Sequence, residues 1–96
     1  MIMTKIRATI STVITEKINK CDELGFEALQ TALSKLKSDV SMINGVYQIR
    51  LTRMDKKSQL TRFISKQELA LAVAPDELLR VVIEEMLKEL FGKEVE

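Results

Sequence analysis

Apolar residues in this chain change their spacing partway along it, and that change is what most restricts the folds open to it. On either side of a short central stretch they recur every three or four positions, the period of an amphipathic helix. Within the stretch, Tyr47, Ile49 and Leu51 alternate with Gln48, Arg50 and Thr52, the period of a strand with one wet face. A sequence that switches period in this way is neither an all-helical bundle nor an all-β sandwich.

Ahead of the switch, residues 4–20 place Ile6, Ile10, Val13, Ile14 and Ile18 on one stripe, with Thr4 in position to cap the helix. Ile, Val and Thr are indifferent helix formers, so this helix depends on burying its stripe. Gly25 interrupts the pattern, and the apolar phase shifts there, so a break is expected. Beyond it, Phe26, Leu29, Leu33, Leu36, Val40 and Ile43 follow alternating steps of three and four, a heptad-like seam on a second helix. The seam faces either the monomer's own helical layer or a second copy of the chain. Asn44-Gly45 ends that helix and turns the chain.

After the switch, residues 60–64 read as a second strand, joined to the first by a loop of about four to six residues that contains no Gly. Ser65 followed three residues later by Glu68 is a capping-box signature for a short helix over 66–73. Pro75 suits the first turn of a final helix, with Asp76 and Glu77 where its dipole favours negative charge. Leu79, Val82, Ile83, Met86, Leu87 and Leu90 form that helix's apolar face, Gly92 its end, and residues 94–96 a frayed tail. The expected fold is α+β in one domain over residues 1–96: two N-terminal helices, a two-stranded antiparallel hairpin, a short helix and a C-terminal amphipathic helix. A helix-turn-helix over 66–85 is rejected, because its second helix is acidic and carries Arg80 where an apolar residue belongs.

Composition removes most chemistries. The 96 residues include no His, which excludes the commonest general base and metal ligand. The one cysteine, Cys21, can form neither an internal disulfide nor a thiolate cluster for zinc, and reads as a small core side chain in a reducing, cytoplasmic setting. Three widely separated glycines build no phosphate loop. Arg80, Glu84 and Lys88, like Glu85, Glu89 and Lys93, stand four residues apart, as in a solvated ladder of ion pairs. The expectation is a protein that is not an enzyme and takes no cofactor and no metal. The N-terminus lacks the order of a secretory signal, and no apolar run is long enough for a bilayer, so no membrane is expected.

Charge is unevenly spread under a formal net of +1. Residues 46–66 carry Arg50, Arg53, Lys56, Lys57, Arg62 and Lys66 against Asp55 alone, whereas 67–96 carry three basic and eight acidic side chains. Either the basic hairpin meets a partner, or it complements the acidic helix within the fold. The resulting functional expectation is a small interaction protein (an adaptor, regulator or inhibitor, by analogy with small phage-encoded chains) that binds a larger protein and itself as a dimer. The alternative is a nucleic-acid-binding regulator working through the hairpin. Leu36→Asp is expected to unfold the chain or dissociate an oligomer, since Leu36 is central in the seam; thermal melting and a solution mass check this.

Overall fold

Burial of the isoleucine stripe organises the N-terminus. In the computed structural model, which describes residues 2–92, α1 (Ile2–Leu24) buries Ile6, Ile10, Val13 and Cys21, with Ile14 and Ile18 half-buried. Thr4 lies inside this helix instead of capping it. Gly25 ends α1 at φ +75°, and the Phe26 N–H donates back to the Cys21 carbonyl at 2.9 Å. The expected break is therefore present, and α2 (Glu27–Ser34) packs on α1 through Leu29, Ala32 and Leu33.

The second helix is much shorter than its periodicity implied. It stops at Ser34, and Lys37–Ile43 is a strand, β1. The seam is consequently not one helical face. Phe26 precedes α2 and is exposed, Leu29 and Leu33 are buried on it, and Leu36 is half-buried in the connection. Val40 enters the core from β1, while Ile43 lies exposed on the opposite face of the sheet. A step of three keeps two residues on one side of a helix but sends them to opposite sides of a strand. The sheet is favoured here because Asn44 (φ +52°) and Gly45 (φ +75°) form a two-residue turn of the twist that hairpins prefer. That turn joins β1 to β2 (Val46–Arg53), so Asn44-Gly45 connects two strands instead of ending a helix.

The expected hairpin is β2 with β3 (Ser58–Ser65), joined by residues 54–57. Lys57 adopts φ +52° there, in the absence of a Gly. With β1 the sheet has three strands in the order β1-β2-β3, all antiparallel, so the α+β class holds with one strand more than expected. The register is Ile43↔Val46, Asp39↔Arg50, Gln48↔Phe63 and Ile49↔Arg62, which puts Leu60, Arg62 and Ile64 on the inner face and Phe63 on the outer one.

Ser65 caps α3 (Lys66–Leu71) with the full capping box: its hydroxyl accepts from the Glu68 N–H at 2.9 Å, and its own N–H donates to the Glu68 carboxylate. This helix is under two turns long and stops short of the expected Val73. The Lys66 N–H donates to the Gly45 carbonyl at 2.8 Å, tying α3 to the hairpin turn. Pro75 then opens α4 (Pro75–Phe91), with Leu79, Ile83, Met86, Leu87 and Phe91 buried. The tail at 94–96 lies outside the described residues.

Helix α1 lies against β1, α4 against β3, and the two helices against each other. Beneath them run Tyr47, Ile49 and Leu51 of β2, at most 4% exposed. The buried cluster draws on all seven elements. Leu36 packs against it, so the expected damage from Leu36→Asp follows from core burial. Gly45 offers a cleaner probe, because a Cβ built there meets nothing within 4 Å and the positive φ alone resists substitution. Gly45→Ala should lower stability by about 1–2 kcal/mol in denaturant unfolding, with an unchanged circular dichroism spectrum.

Candidate interaction surface

The strand alternation that buries Tyr47, Ile49 and Leu51 also decides which basic side chains are free. Arg53 continues the inward set and is only 3% exposed. Its guanidinium holds Asp55 with two bonds, Nε to Oδ1 at 2.7 Å and Nη2 to Oδ2 at 3.0 Å. It also donates to the Leu90 carbonyl at 3.2 Å, and lies 4.2 Å from the centre of the Phe91 ring. An arginine is well matched to all three, because its planar fork fits a carboxylate, satisfies a carbonyl left open at a helix end, and stacks on an aromatic face. Arg53 thus clamps the β2–β3 loop to the end of α4.

Arg62, on the same inner face, pairs with Glu89 of α4. One ion pair, Arg62–Glu89, thus joins the basic hairpin to the acidic helix, while Arg53 pairs with Asp55 of the hairpin's own loop and meets α4 through the Leu90 carbonyl and the Phe91 ring. The remaining basic residues are dispersed. Lys56 and Lys57 sit at the exposed loop, Lys66 at the far end of β3 roughly 25 Å away, and Arg50 on the outer sheet face. The six residues grouped by sequence do not form one patch.

Among the described residues, no helix lies on the outer face. Its residues are Lys37, Asp39, Ser41 and Ile43 from β1, Val46, Gln48, Arg50 and Thr52 from β2, and Gln59, Thr61, Phe63 and Ser65 from β3. The turn end is apolar: Ile43 is 60% and Phe63 64% exposed, and with Val46, Asn44 and Gln48 they line an open concavity of about 320 Å³. At mid-sheet Asp39 stands beside Arg50 across the ladder, yet they form no ion pair, and Arg50 Nε is buried without a hydrogen-bond partner. Arg50 was legible from the strand alternation as a residue of the wet face, whereas Ile43 was not legible as a surface feature of this sheet without knowing that β1 exists.

Both sheet edges, by contrast, are guarded. In the ladder set by the Asn44-Gly45 turn, the carbonyls of Val40 and Thr61 point away from β2. The first accepts a long 3.5 Å bond from Arg7 of α1, and the second a 3.1 Å bond from Arg62. Charged side chains laid over an edge discourage another strand from pairing there. Arg7 was not singled out by sequence, since it carries no pattern of its own.

Two other shallow grooves are lined by charges already engaged with each other. One holds Arg62, Glu85, Lys88 and Glu89; the other includes Lys5, Asp76 and Arg80. In the latter, Lys5 and Asp76 meet at 2.9 Å, and Arg80 joins Glu16 of α1 at 2.7 Å and Glu84 at 3.2 Å, binding α1 to α4. Arg80 and Glu84 thus form the expected four-residue pair, while Lys93 lies outside the described residues. The Cys21 thiol is buried, and burial pushes its pKa up, away from the reactive thiolate. Among the described residues no group of His, Cys, Asp or Glu is arranged to hold a metal, and no helix is long and apolar enough to cross a membrane. No family model, curated protein or solved structure matches this chain.

Two carboxyls are held below their ordinary values: Glu16 (4.5) by its hydrogen bonds from Arg80, and Asp55 (3.8) by those from Arg53. A depressed folded-state pKa contributes stability above the unfolded-state value, and that contribution disappears as pH falls through the folded one. Urea midpoints should therefore fall below about pH 4.5, with a smaller fall in the Glu16→Gln/Asp55→Asn double variant.

Proposed function

We propose that this chain is a non-enzymatic interaction protein, an adaptor, regulator or inhibitor that engages another protein surface through the bare face of its sheet. The observation that supports this reading most directly is the exposed pair Ile43 and Phe63, grouped with the half-buried Val46 on the sheet face opposite the helices. Large apolar side chains grouped on an otherwise polar face are the usual mark of a contact surface. The guarded edges favour docking on the face over strand addition. A buried, unpaired thiol suits a reducing compartment, and the cytoplasm is the setting we assign.

The nucleic-acid reading keeps Arg50, Lys57 and Lys66 but loses Arg53 and Arg62 to internal pairs. Dispersed cations in a chain of net charge +1 make a weak electrostatic footprint. One pair of experiments tests both readings. Affinity capture from the native host with wild-type and Phe63→Asp baits should recover a protein that the variant loses, while the two baits melt within a few degrees of each other. Gel shifts with duplex and single-stranded DNA and RNA should show no salt-sensitive complex; one that disappears on Lys56→Glu/Lys57→Glu would establish the alternative instead.

A further inference from the structure

We infer that a second copy of this chain docks on the bare sheet face, in a two-fold pair whose axis runs along the strands between β1 and β2. The inference rests on reading that face as a contact surface, and the ladder register carries it. Residues directly across from each other in β1 and β2 stand at the same height: Ile43 with Val46, Ser41 with Gln48, Asp39 with Arg50, Lys37 with Thr52. A two-fold axis along the midline of these strands sets β1 of one copy over β2 of the other. Each cross-strand pair then becomes a pair of contacts between copies, as a two-fold interface requires.

The chemistry of those contacts is complementary throughout. Ile43 meets Val46 twice, Ser41 meets Gln48, and Lys37 meets the neutral Thr52. Asp39 of each copy stands over the Arg50 guanidinium of the other, setting opposite charges together at two places in the interface. Other axes do worse. An axis along β2 stacks Arg50 on Arg50, and an axis across the strands lays the apolar end on Lys37 and Gln59. Aligned sheets pack about 10 Å apart at a modest angle, a separation that Arg and Asp side chains span together.

Three strands spaced about 4.8 Å apart, of seven or eight residues at about 3.3 Å, make a face of roughly 14 by 26 Å. That footprint falls below the usual size of specific interfaces, so the pair is a weak, concentration-dependent dimer in the micromolar range or weaker. Phe63, one strand further out, overhangs the flank of the second copy's β1.

Sedimentation velocity over a wide concentration range tests this with paired charge reversals. The wild-type chain should move from monomer towards dimer mass as concentration rises. Asp39→Arg alone and Arg50→Asp alone should each weaken association by about tenfold or more, because like charges then face each other. An equimolar mixture of these two variants should recover dimer, since the mixed pair sets opposite charges over each other at both positions. No change confined to one chain produces that recovery. If either variant folds poorly, Asp39→Lys with Arg50→Glu makes the same test. A wild-type chain that stays monomeric overturns the pairing, as does a dimer indifferent to the reversals or a mixture that shows no recovery. Capture of a host protein that still depends on Phe63 would leave the contact-surface reading standing in any of those cases.

Discussion

Everything in this molecule follows from a three-stranded sheet that is covered on one side only. The strands alternate, so half of their side chains must be buried for the sheet to persist, and the fold supplies that burial by laying α1 over β1 and α4 over β3. Ile49 and Leu51 are fully sealed beneath the helices, as are Ile6, Val13, Ile83 and Met86 above them. The remaining helices leave the other face bare. α2 packs on α1, and α3 is a short segment anchored to the hairpin turn at one end of the sheet. The same alternation that builds the core thus presents Ile43, Val46, Arg50 and Phe63 outward.

The charge distribution takes a different meaning once the layers are known. The basic middle and acidic end of the sequence are brought together, and the two arginines best placed to bind something else are engaged inside the fold. Arg53 is the more consequential. It is almost wholly buried, where an unpaired charge would be costly, and its donors meet Asp55 and the open carbonyl of Leu90. Arg80 does comparable work between α1 and α4, though its exposure to solvent makes the pairs with Glu16 and Glu84 weaker. Arg7 and Arg62 lie over the two strand edges as well, each donating to an outward-pointing carbonyl.

Where local chemistry decided the outcome, the residues were readable in advance. Gly25 broke the first helix, Ser65 and Glu68 formed their capping box, Pro75 began the last helix, and Tyr47, Ile49 and Leu51 faced inward together. The seam from Phe26 to Ile43 misled, since over few residues steps of three and four suit a helix without excluding a strand for part of their length. Asn44-Gly45 held the corrective signal: it is the strongest two-residue hairpin sequence, and β1 is the strand it implies. For Phe63 the sequence offered no decision, because Leu60, Phe63 and Ile64 cannot all share one side of a strand, and the ladder with β2 chose which was left out.

The amino-acid sequence by itself determined the elements after residue 44, the first helix and its end, the α+β class and the poverty of catalytic groups. Those are matters of backbone preference, periodicity and residue inventory, which act within a few positions or need no geometry at all. Tertiary structure alone decided that residues 37–43 pair as a third strand, that Arg53 and Arg62 turn inward, and that both long helices lie on the same face of the sheet. Strand pairing is settled by hydrogen bonds to distant partners, and burial by which surfaces helices happen to reach. Neither is a property of any short stretch of chain.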